Sequence, residues 1–177
     1  MKFPQSELAQ MLQQIVTLKG AFKREQFRWS GVEELLLDPL VASEWYRNEP
    51  SLEYGELQEE LLENRNFCLP KACFRNAAMA ALMNPQEIEY IEGFASDESI
   101  PIPIHHAWNR LPDGTIVDCT WCGQSSRVKL KEAEYIGVAV PIPFLLDLVQ
   151  KNQNIVVFDW PTIVPIMENP PDWLFIS

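Results

Sequence analysis

The sequence predicts an α+β fold: a helical N-terminal part, then an antiparallel sheet packed on a central helix that starts near Cys73. Three observations predict it. Apolar residues of the first third recur at three- and four-residue steps, alanines crowd the stretch after Cys73, and from Ile88 onward runs of strand-forming residues alternate with turn signals. At 177 residues, 47% of them hydrophobic, the chain has material for one substantial core and too little for two. A single domain over 1–177 is expected, with a helical part at 1–67, a core at 68–160 and a Pro-rich segment at 161–177.

The first helix is expected from Ser6 to about Phe27, because Leu8, Met11, Leu12, Ile15 and Val16 form one stripe; Gly20 is placed to bend or end it. Ser30 and Glu33 stand in capping-box relation before a short helix at Val32 to Leu37, which Asp38-Pro39 closes. A third helix fits Leu57 to about Asn64. Pro70 suits a first helical position, which makes Leu69 the N-cap and puts Cys73 in the first turn. Ala77, Ala78, Ala80 and Ala81 then let other elements approach closely, and the helix ends near Asn84-Pro85.

Strands are expected at Ile88 to Ala95, on both sides of the Pro112-Asp113-Gly114 turn, at Tyr135 to Val140 and at Ile155 to Trp160, with a short helix or turn at Phe144 to Gln150. Pro101 and Pro103 introduce the first strand of the hairpin. The segment from Pro161 holds four of the 14 prolines and is expected to be irregular.

The formal charge of -11, from 14 basic against 25 acidic residues, argues against a nucleic-acid partner, since phosphates are neutralised by Lys and Arg. Six glutamates and no basic residue between Glu49 and Glu63 read as a solvated helix face, a surface on which the acidic N-terminal helices would meet a protein partner. No apolar run reaches the roughly 20 residues of a membrane helix, and Met1-Lys2-Phe3 leads into polar residues, so no membrane association and a cytoplasmic location are expected. Four cysteines in such a chain are expected to be reduced, favouring catalysis or metal binding over disulfides.

A helix N-terminus and an adjacent imidazole are the two standard means of ionising a thiol near neutral pH, and Cys73 has a claim on both. Leu69 has no side-chain acceptor, which leaves the first-turn amides for a thiolate or an oxyanion. An inert packing cysteine also suits an Ala-rich helix. The hairpin loop decides which histidine partners Asp118. A three-residue loop, with Pro112 second in a type I turn and Gly114 left-handed, opposes Trp108 to Asp118 and puts His106 diagonally on the same face. A two-residue Asp113-Gly114 loop would instead pair Asp118 with His105. Proline favours the first, so His106 and Asp118 form the expected pair.

The cysteine opening a helix, the strand Tyr90-Ile91-Glu92-Gly93-Phe94, His106-Ala107-Trp108 and Val117-Asp118-Cys119-Thr120-Trp121 together resemble the transglutaminase-like branch of the papain-related thiol enzymes. The likeness covers about Pro70 to Trp121. Lys71-Ala72 stands where that family often has a glycine, and Cys119 where it has a proline. The resemblance implies Cys73 as nucleophile, His106 as base and acid, Asp118 as the orienting carboxylate, and Trp108 and Trp121 as pocket walls. It further implies a thiol-dependent acyl hydrolase or transferase acting on a peptide or small amide through a thioester, without a cofactor.

Two other arrangements stay open. Cys68, Cys73, Cys119 and Cys122 have spacings that would hold a structural zinc, with His105 or His106 as alternative ligands. The same fold would also serve a non-catalytic binding module. A thioredoxin-like role for Cys119-Thr-Trp-Cys122 is disfavoured, because that pair leaves a strand and opens no helix.

Overall fold

The computed structural model describes residues 2–19, 27–47, 69–97, 100–121, 133–152 and 155–176. The expected third helix, the acidic run and both Cys68 and Cys122 lie outside them. The described elements are α1 (Glu7–Lys19), α2 (Val32–Leu37), β1 (Glu44–Arg47), α3 (Cys73–Met83), β2 (Glu89–Asp97), β3 (Ile100–Arg110), β4 (Ile116–Val117), β5 (Glu134–Val140), α4 (Ile142–Asn152) and α5 (Trp160–Glu168). Helices and a five-stranded antiparallel sheet of order β1-β5-β2-β3-β4 make the fold α+β.

Alternation along the strands divides the apolar side chains between two cores. Tyr90 and Phe94 of β2, Ala107 of β3 and Ile136 and Val138 of β5 face the helices, where the alanines of α3 and Leu8, Leu12 and Leu145 meet them. Ile91, Ala95, Trp108 and Tyr135 point to the other face and close over Ile116, Trp121 and Ala133. The small side chains of α3 allow the close approach that the composition implied. Asn109 Nδ2 donates across that contact to the Ala77 and Glu89 carbonyls, at 2.9 and 3.0 Å.

Pro101 and Pro103 lie inside β3, not ahead of it. They occupy the stretch where the pairing with β2 shifts register, between Ala95 opposite Ile104 and Asp97 opposite Ile100, and where β4, which pairs only with Asn109 and Arg110, does not reach. Proline is tolerated at such an irregularity because the regular ladder of hydrogen bonds is already interrupted there.

Several expectations need correction. The capping box is out of register by one: α2 opens after Gly31, and Glu34, not Glu33, reaches back to accept from Ser30 N–H at 2.5 Å. Glu33 pairs with Lys19 at 2.8 Å instead. The first third also contains strand β1, which forms because β5 offers it an edge. No strand forms at Ile155 to Trp160, since β2 and β5 already have partners on both sides. Val157 and Phe158 N–H donate instead to the buried carboxylate of Glu92, at 2.8 and 2.7 Å.

The segment from Pro161 is not irregular. Asp159 caps α5 by accepting from Thr162 N–H, and Pro161 sits at the tolerant helix start. After α5 the chain returns to the α2–β1 connection, where Ala42 N–H donates to Leu174 O at 2.8 Å and Ile176 N–H to Leu40 O at 3.0 Å. Among the described residues no helix is long and apolar enough to cross a membrane.

Candidate active site

Cys73 is the first residue of α3, later in the helix frame than a Pro70 start implies. Lys71 explains the difference: its φ of 60° is left-handed, a conformation that cannot continue into a helix and that costs a non-glycine residue about 1–2 kcal/mol. The chain turns there, with Ala72 N–H on Leu69 O at 3.3 Å, and Ala72 becomes the N-cap. Alanine has no side-chain acceptor. The first-turn amides thus lack both an intrahelical acceptor and a side-chain cap, and their partial positive charge lies beside a half-exposed thiol.

The three-residue hairpin loop forms. Gly114 N–H donates to Leu111 O at 2.9 Å, Gly114 has φ 89°, and Asp113 Oδ1 accepts from Thr115 N–H at 2.9 Å. With Asn109 opposite Val117 and Arg110 opposite Ile116, the register carries Trp108 opposite Asp118. His106 Nε2 and Asp118 Oδ2 are 2.6 Å apart, with both side chains 2% exposed.

Asp118 is satisfied on every side. Oδ2 also accepts from Tyr135 OH at 3.2 Å, and Oδ1 from Thr120 and Trp121 N–H at 3.1 Å each. A carboxylate so held cannot swing away from the imidazole. Cys73 is the further group whose electrostatic influence reaches the His106 ring. With Nε2 on Asp118, Nδ1 is the ring nitrogen left for another partner. Burial pushes the imidazole towards its neutral form, yet the charge and hydrogen bond of Asp118, followed by Cys73, outweigh it and raise the pKa to about 9.

Trp108 and Trp121, the expected pocket walls, are 1% and 9% exposed and enclose the imidazole. The Trp121 ring stacks on His106 with centroids 4.5 Å apart and planes at 21°, and Trp108 lies 6.2 Å away at the same angle. Gly137 makes room for this arrangement: a Cβ there would come within 2.5 Å of Trp108 Cη2. His105 points to the opposite face, with Nε2 3.0 Å from Glu92 Oε1.

Three contributors escaped sequence reading. Asn76 Nδ2 donates to Leu69 O at 2.8 Å and to Thr120 Oγ1 at 2.9 Å, and its Oδ1 accepts from Leu69 N–H at 3.1 Å. It thereby ties the turn before Cys73 to the turn after Asp118; a lone amide among alanines was its available signal. Tyr135 and Gly137 carried none, because their roles exist only once β5 crosses behind the hairpin.

The zinc arrangement needs Cys68 and Cys122, which lie outside the described residues. Cys119 is buried beside Asp118, and no three His, Cys, Asp or Glu side chains converge as a metal site among the described residues. Comparison with family models, curated proteins and solved structures finds no match for this chain.

Proposed function

We propose that the chain is a thiol-dependent acyl hydrolase or acyl transferase built on a transglutaminase-like core. One observation carries the proposal: the buried His106 is held through Nε2 by the Asp118 carboxylate at 2.6 Å, which leaves Nδ1 for the thiol of Cys73, whose influence reaches the ring. The order of elements supports the finer fold reading, with a helix opening on Cys73 followed by adjacent β3 and β4 that present His106 and lead into Asp118.

The chemistry follows from those positions. His106 Nδ1 takes the thiol proton, and Sγ attacks the acyl carbon of a peptide or small amide. The carbonyl electrons move to oxygen, near the uncapped amides of the α3 first turn. Collapse breaks the C–N bond, the leaving amine takes the proton from His106, and a Cys73 thioester remains. Water or an acceptor amine then gives its proton to His106, attacks the thioester and releases the thiol. Asp118 orients the ring and stabilises the imidazolium throughout.

The test uses an activated acyl ester and intact-protein mass spectrometry. An adduct of one acyl group on Cys73, removed by hydroxylamine and absent in Cys73→Ser and His106→Ala, is expected. No adduct, together with Cys73 alkylating no faster than Cys119 in the folded protein, would overturn the proposal; so would stoichiometric zinc that disappears in Cys119→Ser.

A further inference from the structure

Of the buried acids that the chemistry above leaves unused among the described residues, Glu92 is the one with no exposed surface. Its side chain is wholly buried, and four donors converge on it. Tyr90 OH at 2.6 Å and Val157 N–H at 2.8 Å meet Oε2, while Phe158 N–H at 2.7 Å and His105 Nε2 at 3.0 Å meet Oε1. Removing a carboxylate from water is costly unless its lone pairs are met, and a hydrocarbon side chain would fill such a place without that cost. What the carboxylate holds is the His105 ring, and that ring lies edge-on to Phe74, with centroids 4.9 Å apart at 62°. Phe74 follows Cys73 directly in α3.

We propose that Glu92 and His105 are a positioning pair for the nucleophile: the carboxylate fixes the His105 ring, and the ring, through Phe74, fixes the first turn of α3 on which Cys73 stands. The inference rests on Cys73 being the reactive thiol proposed above. The start of α3 needs such a brace, because Ala72 gives it no side-chain cap and the chain enters through the left-handed Lys71. Asn76 restrains that entry from the Thr120 side, and Phe74 from the Glu92 side. The network also lies within electrostatic range of the thiol. Burial and then Glu92 hold the Tyr90 phenol well above its ordinary range, and Cys73 adds to the effect. The two neighbouring histidines of β3 thus act on the start of α3 from opposite faces of the sheet, His106 within electrostatic reach of Cys73 and His105 through its packing on Phe74.

Glu92→Gln and Phe74→Ala test the pair from its two ends, and Phe74→Ala leaves the buried carboxylate network intact should Glu92→Gln fail to fold. The chain has two histidines, so proton NMR follows both imidazole titrations in the folded protein. Each folded variant is expected to slow iodoacetamide alkylation of Cys73 by about tenfold or more, a displaced thiol losing its imidazole partner. The His106 titration midpoint should fall below that of the parent for the same reason, a change that a loss of global stability alone would not produce. Phe74→Tyr keeps the ring edge and should restore both. Variants that alkylate at the parental rate and leave His106 unmoved overturn the pair. A parent in which Cys73 alkylates no faster than Cys119 overturns the enzyme proposal instead.

Discussion

Replacing Asp118 by asparagine isolates what the carboxylate does for His106. An asparagine keeps an oxygen for the Thr120 and Trp121 amides but presents an NH₂ group or a neutral oxygen to Nε2. If the amide donates to Nε2, the ring proton is forced onto Nδ1, and the nitrogen facing Cys73 can no longer accept the thiol proton. A loss of about 10⁴-fold in turnover is the scale for a wrong-tautomer histidine in such a triad.

The same change has a thermodynamic signature. Raising the imidazole from 6.5 to about 9 corresponds, at about 1.4 kcal/mol per tenfold, to about 3 kcal/mol in favour of the charged ring, of which Asp118 supplies the leading part. A folded pKa above the unfolded one adds stability that is fully present below about 6.5 and is lost as pH rises through about 9. Urea unfolding of parent and Asp118→Asn at about pH 6 and about pH 9.5 should therefore show a difference up to about 3 kcal/mol larger at the lower pH. Equal differences at the two pH values, or a His106 NMR titration unchanged in the variant, would refute the electrostatic account.

Turnover in the parent should decline as pH rises through about 9, because the leaving amine then loses its proton donor; a pH–rate profile checks this, and in Asp118→Asn the residual decline should move to lower pH. Trp121→Leu removes the ring stacked on the imidazolium and should cost about 0.5–2 kcal/mol of its cationic form, read as a lower His106 midpoint. Gly137→Ala drives a methyl group into the Trp108 ring and should lower stability by about 1–3 kcal/mol in chemical denaturation, with the Trp108 environment altered in near-ultraviolet circular dichroism. Asn76→Ala should slow Cys73 alkylation and lower the melting temperature, since it severs three hydrogen bonds that join the two active turns.

Where a local rule governs, the sequence was legible. The α2 end follows from Asp38-Pro39, the core strands β2 and β5 from runs of strand-forming residues, and the α3 end from Asn84-Pro85. Where two local rules competed, the neighbours chose. Pro70 suited a helix start, but the Lys71 turn moved the start to Cys73. Ile155 to Trp160 had strand composition, yet the sheet had no free edge beside β2 or β5, and a buried carboxylate satisfied the backbone instead. The Asp159 and Pro161 signals for α5 were present and were outweighed by the count of prolines.

The candidate site divides along the same line. Pro112, Asp113 and Gly114 determine the hairpin register by themselves, because loop length and left-handed backbone are properties of a few adjacent residues, and that register is what sets His106 and Asp118 on one face. The approach of Cys73 to His106, the burial of Trp108 and Trp121 around the imidazole and the convergence of Tyr90, Val157, Phe158 and His105 on Glu92 were decided only by the tertiary structure. Each joins residues far apart in the chain, and the free energy that brings them together comes from burying the two faces of one sheet.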